Sequence, residues 1–106
     1  MLTDEYRYKI LKELQQDPNI SQRQLAKRLG ISLGKANFCL KALIEKGSVK
    51  AENFKNSTNK VGYLYLLTPK GIEEKVILTQ CFLQRKLKEH EELEKEIEQL
   101  RQEVKS

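Results

Sequence analysis

Residues 21–47 contain two helix-start signals separated by a glycine, and this spacing limits the available folds more than any other feature of the chain. Ser21 and Gln24 match a capping box, in which each side chain satisfies a backbone N–H left open by the first helical turn. Gly30 can adopt the left-handed conformation that ends a helix, and Ser32 can cap a second helix. Two short helices joined in this way predict a helix-turn-helix, a motif whose second helix commonly enters the major groove of DNA.

The second helix, predicted over residues 32–45, has two different faces. The apolar face is expected to pack inward, next to Ile31 as a buried plug in the turn, and its members are Ala36, Leu40, Leu43 and Ile44. The other face is expected to meet a ligand, and its members are Leu33, Gly34, Lys35, Asn37, Phe38 and Lys41. Phe38 fits either contact with thymine methyl groups or packing beneath a neighbouring element, and packing is the favoured interpretation.

Positive charge is concentrated in the first two thirds of the chain. Residues 1–68 hold 12 lysines and arginines against 6 acidic residues, whereas residues 69–106 hold 8 against 9. A cationic domain of this size is typical of proteins that contact nucleic-acid phosphates. The chain contains neither the apolar run of about 20 residues that a membrane span needs nor a signal-peptide pattern, so we expect a cytoplasmic protein with no membrane partner.

The rest of the first domain predicts one more helix and a hairpin. A capped N-terminal helix is expected to end before Pro18, since proline cannot continue the hydrogen-bond ladder. After Gly47 the apolar residues alternate, which predicts two strands joined by a polar, basic loop at residues 55–60. Tyr63 and Tyr65 are interpreted as packing residues of the second strand rather than base-stacking groups. A hairpin in this place is a wing, and its predicted contacts to the DNA backbone or minor groove are Lys55 and Lys60.

Residues 69–106 predict one long helix. Thr68 can cap it, Pro69 suits its first turn, and no further proline or glycine follows Gly71. Apolar residues recur with a seven-residue period, the a/d pattern of a coiled coil. The predicted dimerisation residues are Ile72, Val76, Leu83, Leu87, His90, Leu93, Ile97, Leu100 and Val104. His90 is interpreted as a polar residue that fixes the register, with a pH-sensitive dimer as the alternative, and the direction of the helix pair stays open.

The sequence resembles the MarR-like winged-helix regulators, most closely the short group of EPS-associated transcriptional regulators. The residues that carry the resemblance are ISQRQLAKRLGIS at 20–32, LKALIEKG at 40–47 and YLYLLTPKGIEEK at 63–75. The resemblance implies a homodimeric transcription factor on a pseudo-palindromic operator, with its recognition helix at residues 32–45. The Asp-x-Arg wing signature of the family is replaced here around Asn53-Phe54-Lys55, and a small-molecule effector stays an open question.

The expected architecture is therefore mainly helical with a small β-hairpin: a winged helix-turn-helix domain at 1–68, then a dimerisation coiled coil at 69–106. In the expected DNA complex, Asn37 is suited to adenine and Lys35 and Lys41 to guanine or phosphate. Ser32, at the N-terminus of the recognition helix, favours a phosphate. The residues of the preceding helix expected to hold the DNA backbone are Arg23, Lys27 and Arg28.

Other classes of function have weaker support. The only histidine lies in the predicted coiled coil, and no phosphate loop or carboxylate pair is visible, so we expect no enzyme, no cofactor and no metal site. Cys39 is interpreted as a small core residue and Cys81 as an unactivated thiol, with a redox sensor as the alternative for both. The main competing function is a winged-helix module that binds protein and does not read DNA.

Overall fold

The computed structural model describes residues 2–55 and 61–106, and nothing is described for residues 1 and 56–60. Within this part of the chain three helices precede a two-stranded hairpin, and one long helix follows it. The elements are α1 (Asp4–Gln16), α2 (Gln22–Leu29), α3 (Leu33–Glu45), β1 (Val49–Lys55), β2 (Val61–Leu67) and α4 (Pro69–Lys105). The predicted fold class, a winged helix-turn-helix with a long C-terminal helix, is confirmed.

The N-terminal helix α1 is fixed by a cap and a short apolar stripe. Thr3 is the N-cap, and its hydroxyl oxygen accepts a hydrogen bond from the backbone N–H of Tyr6 at 3.2 Å. Ile10, Leu11 and Leu14, at i, i+1 and i+4, are fully buried. This spacing places three aliphatic side chains on one face of the helix, and their burial supplies the hydrophobic driving force for docking α1 into the core.

The helix-turn-helix forms through the local signals found in the sequence. Ser21 Oγ accepts from the backbone N–H of Gln24 at 3.1 Å, and the Ser21 N–H donates to Gln24 Oε1 at 3.0 Å, so the capping box is complete. Gly30 ends α2 with a φ of 67°, a conformation in which a β-carbon would be strained. Ser32 then caps α3 by accepting from the N–H of Lys35 at 3.1 Å. These predictions are confirmed.

The inner face of α3 differs in part from the predicted one. Ala36, Leu40 and Leu43 are buried as expected, and Cys39 joins them as the predicted small core residue. Ile44 is exposed, which corrects its assignment to the inner face. Residues at positions i, i+3, i+4 and i+7 already complete one apolar stripe, and Ile44 lies one residue beyond that stripe, beside an open groove along the hairpin.

The turn residue Ile31 is likewise half-buried rather than a fully buried plug. Its backbone N–H donates to the carbonyl oxygen of Ala26 at 3.0 Å, which places Ile31 directly after the left-handed turn at Gly30. The residue that fills the core at the entry to the motif is Ile20, which is fully buried like Leu25 on α2. The hydrophobic staple of α2 therefore contributes more to the core than the turn does.

Strands β1 and β2 pair antiparallel, with Val49 opposite Leu67 at the base of the hairpin and Lys55 opposite Val61 at its tip. Val49 and Tyr65 are buried, so the packing role predicted for Tyr65 is confirmed. Tyr63, also interpreted as a packing residue, is 54% exposed and stacks on Tyr65 with ring centroids 6.1 Å apart. A two-stranded sheet covers only the residues near its base, and strand alternation alone cannot show where that cover ends.

The first turns of α4 pack tightly against the corner between α3 and β1. A β-carbon on Gly71 would lie only 2.0 Å from the Ser48 carbonyl oxygen, so no side chain fits at position 71. Ser48 is fully buried and donates its hydroxyl hydrogen to Glu74 Oε2 at 2.5 Å. Arg7 of α1 forms an ion pair with the same carboxylate at 2.9 Å. Thr68 caps this helix as predicted, since its hydroxyl oxygen accepts from the N–H of Gly71 at 3.1 Å.

The chain divides into two compact units, Met1–Val76 and Ile77–Ser106, which we call the head and the tail. The boundary falls inside α4, whereas composition placed it between residues 68 and 69. The reason is the close contact of Gly71 and Glu74 with the α3–β1 corner, which makes the first two turns of α4 part of the head. In the residues described here, no helix is both long and apolar enough to pass through a bilayer.

Candidate nucleic-acid interface

The helix-turn-helix of the head presents a surface of uniform charge sign. From Gln22 to Ile44 the chain contains five lysines and arginines and no acidic residue. Neither α2 nor α3 has an acidic residue in its first turn, where the helix dipole is positive. Two helix N-termini and five cations without compensating carboxylates within the segment make a surface suited to a polyanion.

The N-terminal turn of α3 is accessible. Ser32 and Gly34 are exposed and Leu33 is half-buried. The Ser32 hydroxyl oxygen is already used as the helix cap, so it could offer a ligand only its hydrogen. A β-carbon on Gly34 would meet nothing within 4 Å, which shows open space in front of this turn.

Lys35 is held against α1. Its ammonium lies 4.3 Å from the ring centroid of Tyr6 and 3.3 Å from the Tyr6 hydroxyl oxygen. The arrangement combines a cation–π contact with a hydrogen bond, and it restricts a long side chain that is otherwise free to rotate. Sequence reasoning did not connect Tyr6 with Lys35, because the two residues are 29 positions apart and belong to different helices.

Asn37, the residue suited to adenine, is half-buried, and its Oδ1 atom has no hydrogen-bond partner among the described residues. Its side chain lines a groove of about 360 Å³ between α3 and the hairpin, together with Lys41 and Tyr63. Bidentate contact with adenine needs both the amide oxygen and the amide nitrogen. Asn37 would therefore have to rotate its buried oxygen outward, which would also relieve the cost of leaving that acceptor unpaired.

Phe38 is 59% exposed on the same helix. The favoured interpretation, in which it packs beneath the wing, is wrong for the described residues. Phe38 follows Asn37 on the outer face of α3 and lies outside the buried stripe. The remaining interpretation is contact with a ligand, and Lys41, one turn further along the helix, is exposed as well.

The three cations predicted on α2 have different surroundings. Arg23 and Lys27 are exposed, and Arg23 lines a hollow of about 540 Å³ between the start of α2 and the hairpin. Arg28 instead reaches back to α1, where it lies 3.0 Å from Glu13 and 3.5 Å from Asp17. These ion pairs neutralise Arg28 in the free protein, so a contact with DNA would compete with them.

A cross-link between α2 and the hairpin was not visible in the sequence. Gln22 Nε2 donates to the Tyr65 hydroxyl at 3.0 Å, and the Tyr65 backbone N–H donates to the Pro18 carbonyl oxygen at 3.1 Å. Together these bonds hold β2 against the start of α2. The only sequence signal was the polar tip of an inward-facing tyrosine, which normally needs a hydrogen-bond partner when it is buried.

The two predicted wing contacts, Lys55 and Lys60, have no described side-chain position. Lys60 lies outside the described residues, and of Lys55 only the backbone, at the end of β1, is described. In the described part of the chain, no cluster of three or more histidine, cysteine or acidic side chains could hold a metal ion.

The predicted dimerisation residues lie along α4 with their apolar side chains uncovered. Those of Ile72, Val76, Leu83, Leu87, Leu93, Ile97, Leu100 and Val104 are between 41% and 86% exposed. His90 is exposed too, and its Nε2 atom lies 2.9 Å from Glu94 Oε1 one turn away. Within the tail, Ile77–Ser106, no other element supplies a surface to cover this seam.

The comparisons with known proteins agree with this geometry. A family model described as winged helix-turn-helix DNA-binding matches residues 3–50, which include α1 and the whole motif. The head is therefore a winged helix-turn-helix domain. The match covers the elements that carry the cationic surface.

Solved MarR-type structures resemble the chain over most of its length. A MarR/EmrR family regulator from Acinetobacter sp. ADP1 superposes with a TM-score of 0.62 at 21% identity, over 92% of this chain and 73% of that one. Staphylococcus aureus MarR, solved with salicylate and kanamycin, gives 0.56 at 27% identity, over 79% and 53%. S. aureus MepR, solved bound to DNA, gives 0.61 at 20% identity, over 78% and 57%.

The chain thus spans from about half to three quarters of the length of these regulators. No curated protein sequence matches it significantly. These comparisons do not confirm the EPS-associated subgroup, and what they support is a winged helix-turn-helix fold similar to that of solved MarR-family regulators.

Proposed function

We propose that this protein is a sequence-specific, double-stranded DNA-binding transcriptional regulator. It acts as a homodimer on a pseudo-palindromic operator. The recognition helix, α3 with its Ser32 cap, enters the major groove, and the wing at residues 55–60 contacts the backbone or the minor groove.

One observation carries the proposal: the acid-free, cationic surface of α2 and α3 in a fold that MepR also has and that was solved there on DNA. Lysines and arginines on such a surface release counterions from phosphates, which supplies affinity without sequence information. Sequence would then be read by α3, where Asn37, Phe38 and Lys41 lie on or beside its accessible face.

The surroundings of each cationic side chain indicate which part of the DNA it would contact. Arg23 and Lys27 are exposed and suited to the phosphate backbone. Lys35, restrained by Tyr6, is suited to a fixed phosphate or guanine contact at the start of α3. Arg28 contributes least, because Glu13 and Asp17 already pair with it.

The test compares two double variants with the same change in charge. Lys27→Ala/Lys41→Ala removes two cations from the proposed interface, and Lys88→Ala/Lys95→Ala removes two from exposed positions of the tail that lie away from its apolar seam. Affinity for a DNA duplex is measured against salt concentration. We expect the interface variant to make the log–log slope shallower by about 2 and the tail variant to leave it unchanged. Equal slopes for the two variants would contradict the proposed interface.

The operator is found by selecting fragments from a random duplex pool with the purified protein. A two-fold symmetric consensus supports the homodimer, since operator symmetry mirrors protein symmetry. A half-site consensus without symmetry would support DNA reading and contradict the dimer.

A second candidate function is a winged-helix module that binds protein, and the observation in its favour is the exposed aromatic pair of Phe38 and Tyr63. Exposed aromatic residues are enriched at protein interfaces. Lack of binding to any duplex at low ionic strength would favour this function over the regulator.

A further inference from the structure

The apolar face of the tail has different residue types at its two heptad core positions, a and d. In the heptad numbering with Ile97 at position a, leucine occupies position d at residues 93 and 100, and Val104 occupies the next a position. All four side chains are exposed. Ile97, Leu100 and Val104 line an apolar hollow of about 350 Å³. β-Branched residues at a with leucine at d are the combination that favours parallel, two-stranded coiled coils.

We propose that the tail pairs with the tail of a second copy as a parallel, in-register coiled coil, and that charges beside the seam determine this direction. The inference rests on the homodimer of the proposed function and adds its geometry. In this arrangement every apolar layer of the coiled coil contains two identical side chains. Each of four residues packs against the same residue of the partner, and these residues are Leu93, Ile97, Leu100 and Val104. Lys86 and His90 likewise pack against the same residue of the partner. The polar layers, which are unfavourable, are therefore limited to residues 86–90.

The flanking charges separate the two directions. Position g holds glutamate in three successive heptads, at Glu89, Glu96 and Glu103, whereas position e holds Glu94 and Arg101. In a parallel pair a g residue approaches the e residue of the partner's next heptad. Glu96 then attracts the partner's Arg101, and Glu89 repels the partner's Glu94, each contact occurring twice.

Antiparallel pairing in the register that overlaps residues 86–104 has no attraction to offset its repulsions. When the two tails overlap over residues 86–104, g faces g and e faces e. Glu89 then approaches the partner's Glu103, and both Glu96 and Glu94 approach their own copies, so every charged contact is between like charges. The layers are also mismatched, because Lys86 meets the partner's Val104 and His90 meets the partner's Leu100.

Two contacts within the tail involve glutamates beside the seam, and they are the same for both directions of pairing. Lys86 Nζ lies 3.2 Å from Glu89 Oε2, and His90 Nε2 lies 2.9 Å from Glu94 Oε1. Glu89 therefore already has a cationic partner on its own helix. Glu96 and Arg101 form no ion pair among the described residues, which leaves both side chains available to the partner.

Two charge reversals at equivalent g positions test the direction in the full chain. In a parallel pair, Glu96→Lys replaces two attractions by two repulsions, whereas Glu103→Lys alters none of the charged g–e contacts that residues 86–106 form with one another. We expect Glu96→Lys to raise the dimer dissociation constant about tenfold at low ionic strength and Glu103→Lys to leave it within about twofold, from the usual size of exposed ion pairs. Arg101→Glu added to Glu96→Lys should restore the parental value.

Sedimentation equilibrium at several protein concentrations measures the constants. An antiparallel pair reverses the pattern, since Glu103→Lys would then tighten the dimer and Glu96→Lys would have little effect. That result would overturn the proposed direction while leaving the homodimer intact. A parental chain that stays monomeric up to high concentration would instead overturn the homodimer itself.

A cross-linking experiment gives an independent readout. Val104→Cys is made together with Cys81→Ser, with Cys81→Ser alone as the control, because Cys39 is buried and Cys81 is exposed. A parallel, in-register pair brings the two new thiols together, so mild oxidation should give a covalent dimer rapidly. A rate no faster than that of the control would contradict the parallel arrangement.

Discussion

The head and the tail of this protein both use the helical periodicity of apolar residues, but they satisfy it in different ways. In the head, the stripe of α1 and the stripe of α3 are buried within one chain. In the tail, the apolar residues of α4 stay between 41% and 86% exposed from Leu83 to Val104. An amphipathic pattern predicts a buried face in both regions, and that face is buried in α1 and α3 of the head but exposed in the tail from Leu83 to Val104.

The head and the tail also differ in net charge. Residues 1–76 have a net charge of +6, and residues 77–106 have a net charge of −1. A cationic head is suited to attract a polyanion, whereas a nearly neutral tail with alternating signs can pair with itself. The free energy of unfolding of the head should therefore not depend on protein concentration. The fraction of tails whose apolar face is buried in a dimer should rise with protein concentration by mass action.

The largest effect that tests this comparison comes from one substitution made in each region. Leu43→Ala removes a fully buried side chain of the head, and Leu93→Ala removes an exposed one of the tail. We expect Leu43→Ala to lower the free energy of unfolding of the head by about 2–5 kcal/mol. Leu93→Ala should leave that value unchanged in dilute solution and weaken dimerisation.

Urea unfolding followed by tyrosine fluorescence measures the difference, because all four tyrosines belong to the head and the chain has no tryptophan. A loss of head stability with Leu93→Ala at a concentration where the chain is monomeric would show that the seam is covered within the chain.

Two glycine-to-alanine substitutions test whether the first turns of α4 belong to the head. Gly71→Ala places a β-carbon against the Ser48 carbonyl oxygen, and the backbone must move to accept it. We expect a loss of about 1–3 kcal/mol in head stability, as for other overpacked sites. Gly34→Ala is the matched control, since its β-carbon meets open space and alanine favours a helix by up to about 1 kcal/mol. If both variants are equally stable, the first turns of α4 do not belong to the head.

Much of the head could be predicted because its signals are local. The capping box of Ser21 and Gln24, the left-handed Gly30 and the cap of Thr68 before Pro69 each involve residues within a few positions. Such signals do not depend on what packs against the element, so the helix limits that they predict were confirmed.

The errors concern side chains whose surroundings are supplied by distant parts of the chain. The exposure of Ile44, Phe38 and Tyr63 depends on how far the hairpin extends its cover. The hydrogen bond of Gln22 to Tyr65 joins residues 43 positions apart. The need for glycine at position 71 arises from contact with the Ser48 carbonyl across the corner, which periodicity in a single helix does not report.

Asn37 tests whether the cationic head reads sequence in addition to attracting phosphates. Asn37→Ala should reduce discrimination at one base pair by about 1–3 kcal/mol. Head stability should not fall, because the substitution also removes an unpaired buried acceptor. Lys27→Ala is the control, and it should weaken all duplexes alike. Unchanged selectivity of Asn37→Ala across a set of operator variants would remove this residue from the reading surface.

The smallest expected effect concerns Tyr6, which joins α1 to the start of the recognition helix. Tyr6→Leu removes both contacts to the Lys35 ammonium, and Tyr6→Phe removes only the hydroxyl. A cation–π contact contributes about 0.5–1 kcal/mol, so we expect Tyr6→Leu to weaken operator binding about two- to fivefold and Tyr6→Phe to weaken it less. The same change in a Lys35→Ala background should have no effect on binding, because Tyr6 would then have no side chain to position. An equal loss in both backgrounds would mean that Tyr6 affects binding through the stability of the head and not through Lys35.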